Sequence, residues 1–294
     1  MKHNLPYLIN LPPFLLKDLD TKNLRGLSLV WLILKGKILS ILINNTKKKF
    51  FCFVINIFFK KDGKIIYSNK KYKKITKNGQ EIFYPNKRIL RVVKSFELHL
   101  NRLFSSYCLD KIVFLDGDIV IDCGANVGEL SIAFNQKKIN VKYIAFEPDE
   151  DNFESLKQNI SSNDENLHKL ALSNVDGTTN FYVDNEGGNS SIVDFGTPHN
   201  VEINTIRLDS LNLQEDIKLF KLEAEGFEPE VLLGSIETLK STEYVSIDYG
   251  AERGISQEMT IVDCNKILYE NNFSLVSFSE YRLIGLYRNN TFNN

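Results

Sequence analysis

Two sets of residues in this chain have the types and spacing to do chemistry. The first surrounds VIDCGANVGELS (120–131), where the apolar Ile119, Val120 and Ile121 lead to Asp122 and where Gly124 and Gly128 bracket Asn126 before helical spacing resumes in GELSIAF. Glycines at such points allow a tight turn and a close approach of backbone to ligand. Glu147 follows 19 residues after Gly128, at the end of a second apolar run, VKYIAFEP. The second set is Glu223, Glu225 and Asp248, carboxylates just past the apolar runs IKLFKL and EYVSI. In an open α/β sheet a ligand sits beyond the carboxyl ends of the strands at the switch point, so these residues converge there if the runs are parallel strands.

The turn suits a nucleotide-like cofactor, and its details select among such cofactors. Asn126 stands where a dinucleotide fingerprint has its second glycine, which counts against a pyrophosphate that needs bare amides. The Asp122 carboxylate repels phosphate but suits a ligand carrying an ammonium and a sulfonium, as S-adenosylmethionine does. Glu147 is placed to accept both ribose hydroxyls. A poorly nucleophilic acceptor must lose its proton to a base, and Glu223 or Glu225 is the favoured candidate, with Asp248 third. The competing role for Glu225 is to stabilise the N-terminus of the EPEVLLG helix, and for Asp248 to brace the DYGAERG turn. Arg253 suits an anionic group on the acceptor or a salt bridge with a nearby Glu. His99, His168 and His199 have no partner at motif spacing and read as ordinary residues.

The positioning elements follow from hydrophobic period. Strands are predicted at VKYIAFEP, NLHKLALS, IKLFKLEAEG and EYVSIDYG after the first one, with a helix over DEDNFESLKQNISS that Asp149 caps. DGTTNFYVD reads as a short excursion followed by a flexible EGGNSS, and EPEVLLGSIETLK as one helix with Pro229 in its first turn. A helix around MTIVDCNKILYENN precedes FSLVSFSE and YRLIGLYR, two strands close enough to be a hairpin. A parallel sheet ending in an antiparallel hairpin marks the methyltransferase variant of the doubly wound fold. Upstream, the reading is coarser: helices around 13 to 43, a strand near 50 to 59, a hairpin-like turn at KKDGK, and a helical stripe of Leu90, Val93, Phe96, Leu100 and Leu103 from Arg88 onward.

DCGANVGELS, AFEPDEDNFESLKQNI, ALSNVDGTTNFY, GGNSSI, RLDSL, KLEAEGFEPEVLLGS and SIDYGAERG occur in that order, and the series resembles the FkbM family of S-adenosylmethionine-dependent methyltransferases. The resemblance covers roughly residues 88 to 294. It implies an α/β class I methyltransferase fold, with a seven-stranded Rossmann-like sheet and terminal hairpin over 87–294; residues 1–86, read as a basic mixed α/β extension, lie outside it. It also implies S-adenosylmethionine as cofactor and O-methylation of a sugar, a polysaccharide or glycolipid precursor or another secondary metabolite. Asp122, Gly124, Asn126 and Gly128 match the cofactor loop and Glu147 the ribose ligand, while Ala171 and Leu172 fall where such enzymes contact adenine. Many relatives have Asp-Val-Glu-Gly after the fourth strand; this chain has Glu223-Ala224-Glu225-Gly226.

Composition sets the remaining bounds. Residues 1–111 hold 23 Lys+Arg against 6 Asp+Glu, an excess of +17, and the rest of the chain balances it at −18. The basic part, with the apolar stretch 27 to 43, suits peripheral contact with an anionic membrane surface or phosphorylated glycan. Lys35 and Lys37 interrupt that stretch, so no transmembrane helix is predicted, and the four scattered cysteines indicate neither a metal site nor a disulfide framework. The cysteine usage and the lack of a signal pattern suggest a cytoplasmic setting. Two other functions compete: a nucleic-acid methyltransferase gripping phosphates with its basic region, and a binding module that keeps the fold without turnover. Glu223, Glu225, Glu228 and Glu230 at the expected mouth, and the lack of an N/D-PP-Y/F motif, argue against the first.

Overall fold

The computed structural model of the chain describes residues 11–16, 26–160, 166–184, 190–280 and 282–292. It divides into two compact units, Met1–Ile82 with Asn86–Phe96, and Phe83–Pro85 with Glu97–Asn294. The first begins with helices α1 (Pro13–Leu16), α2 (Leu27–Asn45) and α3 (Lys48–Phe58). A three-stranded sheet follows, β1 (Lys64–Ser68), β2 (Lys71–Ile75) and β3 (Glu81–Tyr84), then a 3-10 turn over Lys87–Val92. Three expectations are corrected here. Residues 48–58 are helical, because their apolar side chains serve two faces: Phe51, Cys52, Val54 and Ile55 are buried while Phe50, Phe53 and Ile57 are exposed. KKDGK links α3 to β1, and the hairpin turn is at Asn69 and Lys70, both left-handed, with φ of 49° and 62°. Lys35 and Lys37 do not interrupt α2, which at 19 residues is long and apolar enough to cross a membrane by length and composition.

The helix expected from Arg88 onward is broken, and α4 occupies only Phe96–Ser106. The Phe96 amide donates to Asp62 Oδ2 at 2.8 Å instead of to the preceding turn. The rest of the second unit runs β4 (Ile119–Cys123), α5 (Glu129–Gln136), β5 (Lys142–Phe146), α6 (Glu150–Asn159), β6 (Leu167–His168), β7 (Ala171–Leu172), β8 (Gly177–Tyr182) and β9 (Asn200–Ile206). It continues with β10 (Ile217–Leu222), α7 (Glu228–Leu233), α8 (Ile236–Lys240), β11 (Thr242–Asp248), β12 (Ala251–Arg253), β13 (Glu258–Met259), α9 (Ile261–Glu270), β14 (Phe273–Phe278) and β15 (Ile284–Asn289).

Seven strands form one sheet in the order β14-β15-β11-β10-β4-β5-β6. The pairs from β11 to β6 are parallel, whereas β15 is antiparallel to both β11 and β14. The expected class I methyltransferase sheet with its terminal hairpin is therefore present, and its switch point lies between β4 and β10. Asp149 caps α6 by accepting from the Asn152 amide. Three local readings differ. NLHKLALS splits, β6 ending the main sheet while β7 pairs with β9 in a small sheet ordered β7-β9-β8. DGTTNFYVD supplies β8 of that sheet, and the first four residues of EGGNSS lie outside the described residues. The single helix expected over 228–240 breaks at Gly234, whose position leaves no room for a side chain: a Cβ there would lie 1.8 Å from the Ser173 carbonyl oxygen.

The junction between β4 and α5 depends on glycine. Gly128 has φ of 83°, and a Cβ there would lie 2.8 Å from Leu156 Cδ1 and 2.9 Å from Ile160 Cδ1. Gly128→Ala combines left-handed strain with overpacking against α6, so a loss of about 1–3 kcal/mol is expected. Thermal unfolding checks it, and an unchanged midpoint would contradict the packing described.

Candidate active site

The site grows out of one row of polar residues across a sheet of apolar ones. Ile121 and Cys123 of β4, Phe220 and Leu222 of β10, and Val245 and Ile247 of β11 enter the main core. Alternation then puts Asp122, Lys221 and Ser246 together on the opposite face, and the registers Lys221↔Asp122 and Lys221↔Ser246 make them lateral neighbours. Lys221 is 2% exposed. Its Nζ lies 2.9 Å from Asp122 Oδ1 and 3.4 Å from Glu223 Oε2, and donates to the carbonyls of Cys123 (3.0 Å) and Gly124 (2.9 Å). Burial works against the lysine charge, but Asp122, Tyr107 and Glu223 outweigh it and raise its pKa. The Tyr143 hydroxyl donates to the other Asp122 oxygen.

The row ends in a second cluster at the carboxyl edge. Arg282, two residues before β15, donates through Nη2 to Glu223 Oε1 and to Asp248 Oδ2. The Tyr107 hydroxyl donates to Glu223 Oε2, the Arg282 guanidinium lies 5.6 Å from the Tyr107 ring centroid, and Ser246 Oγ fixes the Tyr107 carbonyl at 2.8 Å. The two carboxylates diverge in proton affinity. Burial opposes the Glu223 charge, yet Arg282 and Lys221 hold its pKa well below the usual carboxylate range. Burial and then the Glu223 charge push Asp248 up to about 7 against the pull of Arg282.

On the far side of β4 the glycine turn is organised by its own backbone. The amides of Gly124 and Ala125 both donate to the Phe146 carbonyl at 3.0 Å, and that of Gly128 to Ala125 at 2.9 Å. The Asn126 amide donates to Glu147 Oε2 (2.7 Å), and the Asp149 amide to Glu147 Oε1 (3.0 Å). Asn126 has φ of 51°, a left-handed conformation that asparagine tolerates better than most side chains, so it fills the second glycine position without strain. Four turn amides, those of Gly124, Ala125, Asn126 and Gly128, are thus committed to protein acceptors, which leaves a pyrophosphate fewer donors than a bare glycine turn offers. Glu147 accepts an amide at each oxygen and stands beside the turn, the carboxylate of this edge that could hold a ribose diol.

The expected site residues separate into three places. Asp122, Gly124, Asn126, Gly128, Glu147, Glu223 and Asp248 gather along the ends of β5, β4, β10 and β11, with Asp122 buried and paired inside the protein. Glu225 lies further round the turn, with φ of 50° and its carbonyl accepting from Ser191 Oγ at 2.8 Å. Ala171 and Leu172 are buried in β7 of the small sheet. The helix-entry role weighed for Glu225 falls to Glu228, whose Oε1 accepts from the amides of Ala224 (2.9 Å) and Gly226 (3.1 Å) and whose Oε2 accepts from Thr260. Arg253 makes a two-pronged salt bridge with Glu230 at 2.6 and 3.0 Å. The repulsive acidic mouth expected from four glutamates is thus corrected: Glu223, Glu228 and Glu230 are satisfied internally. Among the described residues no cluster of three or more His, Cys, Asp and Glu is arranged to hold a metal.

Five participants were not singled out in the sequence: Tyr84, Tyr107, Tyr143, Lys221 and Arg282. His99, expected to lack a partner, has one. Its Nε2 is 2.9 Å from Oε1 of the buried Glu129, which also accepts from the Tyr84 hydroxyl, so both side chains brace the first residue of α5. His168 instead stacks on Phe146 at 4.9 Å, and His199 is exposed. Only Lys221 carries a visible sequence signal, a lysine inside the otherwise apolar LFKL run.

The family described as the Methyltransferase FkbM domain matches residues 122–273, just over half of the chain. Methyltransferase sdnD of Sordaria araneosa is 26% identical over 45% of this chain. The chain spans 66% of that relative's length. Similar solved structures include a SAM dependent methyltransferase from Aquifex aeolicus, with 13% identity, TM-score 0.35, and coverage of 65% of this chain and 97% of that one. Another is a precorrin-6y C5,15-methyltransferase from Geobacter metallireducens, with 12% identity, TM-score 0.32, and coverage of 61% and 82%.

Removing the lysine isolates the buried acids. Lys221→Met is expected to destabilise the protein by about 3–5 kcal/mol, and Asp122→Asn in the same chain to recover a large part of that loss. Urea unfolding of the two single variants and the double variant checks the coupling, and simple additivity would contradict the pairing.

Proposed function

We propose that this chain, which belongs to the methyltransferase FkbM family, methylates a hydroxyl on a sugar, a polysaccharide or glycolipid precursor or another secondary metabolite. S-adenosylmethionine is the cofactor, and when bound it supplies a methyl group on a sulfonium. In this reading Glu147 holds the ribose hydroxyls, and the turn at Gly124, Asn126 and Gly128 gives the cofactor its close approach to the backbone. The interior pair of Asp122 and Lys221 sets the position of that turn, so Asp122 acts by positioning. Ala171 and Leu172 take the adenine side.

The observation that carries the reading is the Asp248 carboxyl at the end of β11, bridged by Arg282 to Glu223 and pushed up to about 7. An aliphatic hydroxyl is a poor nucleophile until its proton is taken, and a base near neutral pH is best matched to the task. Glu223 is held ionised by two cations and is a weak base, so its role is to raise Asp248 and anchor Arg282. Glu225 sits beyond the strand end. Asp248 is therefore the proposed general base: it accepts the hydroxyl proton as the oxygen–methyl bond forms and the sulfur–methyl bond breaks. Alignment along that line is what the rigid strand ends contribute.

Two measurements test this. Glu147→Ala removes charge-assisted hydrogen bonds of about 1.5–3 kcal/mol each, so calorimetry is expected to show S-adenosylmethionine binding weakened about tenfold or more. Unaltered affinity would remove Glu147 from the site. With radiolabelled donor and a saccharide panel, the wild-type rate is expected to rise with pH through about 7 and then level, because Asp248 accepts a proton only when ionised. Asp248→Asn is expected to lower kcat by about 10²- to 10⁴-fold with donor affinity retained. An unchanged profile in that variant would exclude Asp248 as the base, and transfer to RNA but to no saccharide would overturn the acceptor class.

A further inference from the structure

Helix α2 has two opposed apolar faces. Gly36, Leu39 and Ile43 are buried within the first unit, whereas Leu27, Val30, Trp31, Leu34, Ile38 and Ile41 are all exposed. At about 100° per residue those six fall within roughly one third of the circumference, directly away from the buried face. Leu27 is 88% exposed and Trp31 67%. Helix α3 repeats the arrangement: Phe50, Phe53 and Ile57, at i, i+3 and i+7, are exposed, and the rings of Phe50 and Phe53 stack at 6.3 Å. Contiguous exposed apolar surface of this kind marks an interaction face.

The charge around it identifies the partner. Residues 21–61 contain nine Lys+Arg and no Asp or Glu. Lys47, Lys48 and Lys49 are exposed directly before Phe50, Lys37 is exposed beside the α2 stripe, and the Lys35 ammonium lies over the Phe59 ring at 5.3 Å. A second copy of this chain would set this cationic surface against itself, at the cost of like-charge repulsion. A layer apolar within and anionic at its surface complements it on both counts. We infer that α2 and α3 seat this protein on an anionic lipid bilayer, with the stripe from Leu27 to Ile41 and the Phe50–Phe53 pair in the acyl boundary and the lysines among the headgroups. Lys35 and Lys37 at mid-helix favour α2 lying along the interface over crossing it, because long lysine side chains reach the headgroup level from there. This is independent of the methyl-transfer reading.

Trp31 is the only tryptophan in the chain, so selectively excited tryptophan emission reports on this face alone. With the full chain, vesicles of phosphatidylcholine plus phosphatidylserine are expected to shift Trp31 emission to the blue and make it accessible to brominated-lipid quenching. Flotation with the same vesicles is expected to weaken as salt rises. Leu34→Ser with Phe53→Ser is expected to lower vesicle affinity by about tenfold or more while leaving the thermal midpoint unchanged, since both side chains are exposed. Unchanged emission with anionic vesicles, or equal binding to pure phosphatidylcholine, would overturn the inference. So would a lipid-free dimer whose Trp31 emission is already blue-shifted, since a second copy would then cover the face.

Discussion

The site depends on one buried cation. Lys221 stands in a strand whose neighbouring positions, Phe220 and Leu222, belong to the apolar core, and its charge is tolerated because Asp122 and two backbone carbonyls meet it on the opposite face. A one-residue slip between β4 and β10 would drive the ammonium into that core and strand Asp122, so the pair pins the register where the strand order reverses. Buried ion pairs contribute little net stability against well-packed apolar residues, but they penalise alternatives heavily. The same ammonium grips the carbonyls at the end of β4, so the geometry of the glycine turn is inherited from the sheet and not left to the loop.

The terminal hairpin has a chemical consequence as well as a topological one. Because β15 inserts antiparallel between β11 and β14, the turn leading into it arrives at the carboxyl edge of the parallel strands. Arg282 is delivered there from the last part of the chain, 59 residues after Glu223, to stand between two carboxylates. A single guanidinium cannot serve both equally. Glu223 also has Lys221 and the Tyr107 hydroxyl, so Asp248 is the group whose charge is least compensated and whose proton affinity rises into the neutral range. Two carboxylates of similar origin acquire different roles through their partners alone.

Much of this was readable wherever the signal was local. The strand–turn–helix at 119–136, the Glu147 spacing, the Asp149 cap and the closing hairpin each depend on residues within about 20 positions of one another, where period and turn chemistry are informative. Helix α3 reads as a strand because Phe, Val and Ile favour strands by composition, and its eight apolar residues obscure a helical division between buried and exposed faces. The division of NLHKLALS between two sheets had no local mark, since β7 is claimed by β9, a strand some 30 residues away. The network itself was the least legible part. Tyr107 meets Glu223 across 116 positions and Lys221 meets Gly124 across 97, and nothing in one sequence states such pairings. A lysine in an apolar strand says that a buried acid must exist; it does not say which one.

The most direct measurement is a crystal structure of the full chain with S-adenosylhomocysteine. The account predicts the ribose hydroxyls on Glu147, the homocysteine sulfur directed toward the edge shared by Glu223, Arg282 and Asp248, and the Lys221–Asp122 pair intact beneath the turn. A ligand whose ribose lies away from Glu147, or whose sulfur faces away from Asp248, would contradict it.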